Sequence, residues 1–198
     1  MARGKLVNMD IKEYIKASID TKTKILNSAE IINTINNIAK AITISYKNGG
    51  KLFTAGNGGS AGDAQHIAGE FVAKFYFDRK GLSATSLVTN ASVLTAISND
   101  FGYEYCFARQ LEALAKEGDV FIAISTSGNS PNMVRAMEEA KKRGIIAIGF
   151  VGEDECKMDE YCDYIIHVPS KSTPTIQEAH IMVGHIICGL VEEALFKA

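Results

Sequence analysis

Five short apolar runs recur along the chain, at 51–55, 85–88, 120–124, 145–151 and 164–168, and each is followed by a stretch with helical periodicity. Their apolar residues are nearly continuous. That pattern marks strands buried on both faces. Buried strands alternating with helices form a parallel sheet covered on both sides. The chain is therefore expected to fold as a three-layer α/β sandwich around a central five-stranded parallel sheet.

Two helices lead into that sheet. Residues 11–26 mix polar and apolar positions, and Asn27 with Glu30 suits a capping box for a second helix. Ile31, Ile32, Ile35, Ile38, Ala39 and Ile42 then mark one apolar face, which Asn48-Gly49-Gly50 ends as a C-cap. Further helical patterns cover 61–75, 91–98, 103–116, 131–143 and 176–196, with a short one over 156–161. Asn99-Asp100-Phe101-Gly102 reads as a break between two of them. The 198 residues contain no repeat, low-complexity tract or linker. They are read as a single domain, 1–198, with a helical arm over about 10–48 and the sheet and terminal helix over about 51–197.

Composition narrows the function classes. Hydrophobic residues make up 46% and charged residues 22%, which excludes a disordered chain. A net charge of −2 offers no basic field for nucleic acid or an anionic membrane. No apolar stretch is expected to reach the length of a bilayer span, and residues 1–9 lack the apolar core of a signal peptide. Cys106, Cys156, Cys162 and Cys188 form no C-x-x-C pair and read as thiols of a reducing cytoplasm.

Chemistry concentrates in two turns that follow strands, the edge of a parallel sheet where ligands bind. The first is Gly56-Asn57-Gly58-Gly59-Ser60. The second is Ser125-Thr126-Ser127-Gly128-Asn129-Ser130, followed by Pro131. Ser130 suits an N-cap and Pro131 a first helical position. Hydroxyls and free helix N–H groups with no compensating cation describe either a phosphate cradle or a turn that only caps the helix. On the helix after the first turn, His66 and Glu70 are four residues apart and share a face. Such a pair can bind a metal or share acid/base work. On the terminal helix, Gln177 and His185 lie in one row, about 12 Å apart along the axis at 1.5 Å per residue. His180 sits nearby, toward the pocket, the core or an interface, and His167 is assigned no role. Asn99 and Asp100 either cap a turn or hydrogen-bond a polyol.

Taken together, these segments resemble the sugar isomerase (SIS) domain, a flavodoxin-like fold, and within it the phosphoheptose isomerases. The matching stretches are 55–60, Asp63-Ala64 to Glu70, 98–102, 125–130, and Gln177-Glu178 with His180 to His185. The resemblance implies conversion of sedoheptulose 7-phosphate to D-glycero-D-manno-heptose 7-phosphate through an enediol, feeding heptose for lipopolysaccharide core or capsule. It implies one zinc per subunit on His66, Glu70, Gln177 and His185. It implies catalysis by Glu70 and His185, and a cytoplasmic homotetramer with sites near subunit interfaces. The implied substrate contacts are Asn57, Gly58, Gly59, Ser60, Glu70, Asn99, Asp100, Ser125, Thr126, Ser127, Ser130 and Gln177. The alternatives are a non-catalytic SIS tetramer that binds the replication initiator, and an isomerase for another phosphosugar. The chain departs from the resembled pattern once: Lys171-Ser172-Thr173-Pro174-Thr175 carries no acid ahead of Gln177.

Overall fold

The computed structural model describes residues 10–197; the reading of residues 1–9 as lacking a signal-peptide core falls outside them. The chain runs α1 (Ile11–Asn27), α2 (Ala29–Lys47), β1 (Leu52–Gly56), α3 (Gly59–Val72), β2 (Ala84–Ser86), α4 (Ala91–Phe101) and α5 (Ala108–Leu114). It continues through β3 (Val120–Ile124), α6 (Pro131–Lys142), β4 (Ile146–Val151), β5 (Tyr164–His167) and α7 (Thr173–Phe196). The strands form one sheet in the order β2-β1-β3-β4-β5, with every pairing parallel.

Successive side chains leave a strand on opposite faces, so each buried strand feeds two cores. Leu52, Val120, Ile122, Ile124, Ile148 and Phe150 enter one, beneath α2, α3 and α7. Phe53, Ala55, Phe121, Ala123 and Ala147 enter the other, beneath α5 and α6. The expected three-layer sandwich with a five-stranded parallel sheet is the fold observed.

Local signals moved several boundaries. Ser28, not Asn27, caps α2, its hydroxyl accepting from the Ile31 N–H at 3.3 Å. α3 starts at Gly59 rather than 61, because Gly58 takes a positive φ of 57° and turns the chain directly into the helix. α4 runs through Asn99 and Asp100 and stops at Gly102, whose φ is 98°. The helix expected over 103–116 divides into a 3₁₀ turn, Tyr103–Tyr105, and α5. α7 begins at Thr173, with Pro174 in the first turn, where its missing N–H costs nothing.

The expectation that no apolar stretch reaches bilayer-spanning length fails. α7 has 24 residues and a mean hydropathy of 1.4 over its most apolar window, enough by length and composition to cross a membrane. Here it is a core helix: Ile176, Ala179, Val183, Ile187 and Val191 pack into the first core. Glu178, next to Gln177, ties α1 to α7 by accepting from the Tyr14 hydroxyl at 3.3 Å, the Ser18 hydroxyl and the Lys22 ammonium at 3.2 Å.

The chain passes from β1 outward to β2, then crosses back to place β3 on the other side of β1. Sheets of this kind open a crevice at that reversal, beyond the carboxyl ends of the two strands. Residues 57–60 leave β1 there, and residues 125–130 leave β3 there.

Candidate active site

The hydroxyl loop is folded by its own side chains and backbone. Ser125 is held in the sheet by the Phe150 carbonyl, and its hydroxyl accepts from the Gly128 N–H at 3.2 Å. The Ser127 hydroxyl accepts from the Asn129 N–H at 3.3 Å. Gly128, with φ 61°, brings the backbone so close to Cys156 that a Cβ would strike its side chain. Ser130 is the N-cap residue of α6, yet its hydroxyl makes no cap bond and stays free. The expected N-cap position is the one observed, without the side-chain bond. The free hydroxyl leaves one more donor beside the helix N-terminus, where partial positive charge collects.

The reading of a loop without a neighbouring cation needs correction. A cavity of about 260 Å³ beside the loop is lined by Thr126, Ser127, Asn129 and Lys171. The Lys171 ammonium lies 2.9 Å from Asp154 and 3.7 Å from Glu153, so its charge is already paired.

The second group arises from two helices lying side by side. α3 and α7 run in the same direction, because their contacts advance together. A Cβ on Gly59 would stand 2.7 Å from the Gln177 amide, and His66 meets His185. Further along, Glu192 accepts from the Phe75 and Tyr76 N–H groups. Parallel helices keep residues at matched heights opposite each other, and so the i,i+4 pair of α3 faces the row on α7.

His66 Nε2 lies 3.0 Å from Glu70 Oε1 and 3.1 Å from His185 Nε2. The ligand atoms of His66, Glu70 and His185 all lie within 4.8 Å of one another. A single hydrogen on His66 Nε2 cannot point along both contacts. A cation among the three atoms satisfies all of them. Tetrahedral zinc, with bonds of about 2.0–2.1 Å to imidazole nitrogen, separates its ligand atoms by about 3.3 Å, close to these spacings. The donor set therefore fits a metal ion. His66 is 48% exposed and Glu70 25%, so the trio is open to an incoming molecule.

Gln177 lies on the first turns of α7. Its amide donates to the Ser60 hydroxyl at 3.4 Å and packs on Gly59. Asn99 and Asp100 are exposed on the last turn of α4, where the Asn99 amide donates to Asp100 at 2.8 Å. Asn57 forms a reciprocal amide pair with Asn132 and accepts from the Tyr103 hydroxyl. His180 belongs to the core: it is fully buried, 3.1 Å from the Val151 carbonyl. His167 braces Gly152 and Asp159.

Sequence reasoning passed over the residues that support the site. Arg79 donates to the Glu70 carbonyl at 2.9 Å and to that of Phe71 at 2.7 Å, closing the C-terminal end of α3. Its Nε is 2.9 Å from Glu192, in an ion pair whose side chains are 3% and 1% exposed. Burial pushes the Glu192 carboxyl up, but hydrogen bonds from Phe75, Tyr76 and Arg79 outweigh it and hold the group below its ordinary range. Phe75, so anchored, stacks on His185 with ring centroids 5.6 Å apart. No spacing in the sequence pairs Arg79 with Glu192. Asp63, on the first turns of α3, carries a buried oxygen without a partner, and burial raises its carboxyl pKa.

The chain is similar to known proteins along nearly its whole length. The SIS domain family model matches residues 13–152. The phosphoheptose isomerase of Aneurinibacillus thermoaerophilus is 57% identical over 192 residues, covering 96% of both chains. Phosphoheptose isomerase 2 of Campylobacter jejuni is 55% identical over 190 residues, covering 96% of this chain and 94% of its own. Among solved structures, a phosphoheptose isomerase from Francisella tularensis superposes with a TM-score of 0.88 at 32% identity. That match covers 92% of this chain and 96% of the other.

Proposed function

The chain belongs to the phosphoheptose isomerases of the SIS domain family, and from that membership we propose that it interconverts sedoheptulose 7-phosphate and D-glycero-D-manno-heptose 7-phosphate. The observation that carries this reading is the convergence of a carboxylate and two imidazoles where α3 and α7 pack side by side, in a chain whose hydroxyl-rich loop follows β3. A ketose becomes an aldose when a proton leaves C1, an enediol forms, and a proton is delivered to C2. Glu70 takes the C1 proton and returns one to C2, as a single carboxylate can when it faces both carbons. His185 carries the hydroxyl proton between O1 and O2.

Ser125, Thr126, Ser127 and Ser130 hold the terminal phosphate through hydroxyl and N–H donors. Asn57, Gly58, Gly59 and Ser60 approach the sugar, and Asn99 and Asp100 bind its hydroxyls. His66, Glu70, Gln177 and His185 would hold a zinc ion, which would supply polarisation of the substrate's carbonyl and hydroxyl oxygens. The exposed Ile15 and Ile19 of α1 and Ile44 of α2 support assembly into a homotetramer, with sites near subunit interfaces. The product serves lipopolysaccharide core or capsule synthesis in the cytoplasm.

The test is turnover of sedoheptulose 7-phosphate against fructose 6-phosphate, followed in heavy water. The wild type should prefer the seven-carbon ketose and incorporate deuterium at the carbon next to the carbonyl. Glu70→Gln should stay folded and lose about 10²–10⁴ of both rates. Wild-type exchange in folded Glu70→Gln would remove Glu70 as the base. Failure of the wild type on the heptulose would remove the substrate.

A further inference from the structure

The pairing of Asn57 with Asn132 joins the two loops of the crevice. Asn57 Nδ2 donates to Asn132 Oδ1 at 2.9 Å, and Asn132 Nδ2 donates back to Asn57 Oδ1 at 2.9 Å. The Tyr103 hydroxyl donates to the same Asn57 oxygen at 2.9 Å. Both lone pairs of that oxygen are thus used, with one of the two amide hydrogens of Asn57. Asn132 is 2% exposed, so its amide cannot turn away without stranding buried polar atoms.

Three segments meet at this node. Asn57 lies in the turn after β1. Asn132 lies in the first turn of α6, two residues beyond Ser130. Tyr103 follows Gly102, three residues beyond Asp100. Each segment carries residues read as substrate contacts, and neither Asn132 nor Tyr103 is among those contacts. We infer that Asn132 and Tyr103 are positioning residues: acting through Asn57, they lock the glycine turn, the hydroxyl loop and the end of α4 into one frame for an open-chain phosphosugar. This inference rests on the isomerase reading above.

The physical need is a fixed span. An open-chain sugar phosphate has several rotatable bonds between its phosphate and its reacting carbons. Gripping the phosphate helps the reaction only if the contacts along the sugar stay at a set distance from the cradle. A hydrogen-bond node across the crevice supplies that rigidity. It also means that Asn57 offers the sugar only its remaining amide hydrogen and its backbone.

Tyr103→Phe is the cleanest probe, because it removes one hydroxyl from a residue that is 57% exposed and leaves the core untouched. Amide hydrogen exchange and kcat/KM are measured for this variant and for Asn132→Leu. Both are repeated in an Asn57→Ala background. Tyr103→Phe should speed exchange across 57–60 and 99–103 and lower kcat/KM roughly 2- to 10-fold, the usual worth of one neutral hydrogen bond, with an unchanged unfolding midpoint. In the Asn57→Ala background it should add nothing to either effect. Unchanged exchange in Tyr103→Phe would overturn the frame. So would an equal kinetic loss in both backgrounds, which would make Tyr103 a direct substrate contact. If the wild type fails to isomerise the heptulose, the isomerase reading falls, and the exchange coupling still decides whether the node exists.

Discussion

Mild acid should weaken this fold through one buried ring. His180 lies on α7 with no exposed surface, packed against Phe150 at 5.8 Å between centroids. Its Nε2 is 3.1 Å from the Val151 carbonyl, so the hydrogen sits on Nε2 and Nδ1 is a bare acceptor, buried without a partner. A proton on Nδ1 would place a charge in the core with nothing to receive its hydrogen bond. Desolvation accordingly pushes the pKa from 6.5 down to about 4, the Val151 carbonyl opposing only in part. The unfolded chain takes its proton near 6.5, while the folded chain resists until about 4. The stability from keeping His180 neutral is therefore whole above pH 6.5 and is lost as the pH falls toward 4. A gap of this size, at about 1.4 kcal/mol per unit, removes about 2 kcal/mol by pH 5. Glu178 and Glu192, held below the ordinary carboxylate value of 4.5, lose their contributions only at lower pH. The assay is urea denaturation at fixed protein concentration from pH 7.5 to 4.5, comparing wild type with His180→Gln, whose amide can still donate to Val151. The wild type should lose about 2 kcal/mol more than the variant over that span. Parallel curves would refute the argument, whatever the offset between them.

Two further predictions concern the loop and the end of α3. Ser127→Ala with Ser130→Ala should raise KM for the sugar phosphate at least about tenfold and weaken inhibition by inorganic phosphate in step, since each charge-assisted hydrogen bond is worth roughly 1.5–3 kcal/mol; unchanged KM would show that the phosphate binds elsewhere. Glu192→Ala strands the buried Arg79 guanidinium and should destabilise the fold by about 3–5 kcal/mol in urea titration at pH 7.5, whereas a loss under about 1 kcal/mol would contradict the role given to the pair.

What the sequence determined on its own was local in origin. Continuous apolar runs such as 120–124 marked buried strands, because burial on both faces removes any polar alternation. The i,i+4 spacing of His66 and Glu70 set them on one face of one helix, because helix geometry depends only on nearby residues. The turns at 56–60 and 125–130 were visible because glycine and hydroxyl residues cluster where backbone conformation demands them. Boundaries were less legible: Asn27 and Ser28 are both good caps, and only the fold selected Ser28. The tertiary structure alone decided which distant residues meet. His185 reaches His66 across 119 residues because α3 and α7 happen to pack parallel and in register. Gln177, in the same row as His185, meets Ser60 across 117 residues. His180, one turn from Gln177, points into the core and becomes a structural histidine. Asn132, Tyr103, Arg79 and Glu192 carry no spacing signal, since each pairs across elements that only the sheet order brings together. Periodicity reports which face of an element is buried, whereas packing decides what that face meets.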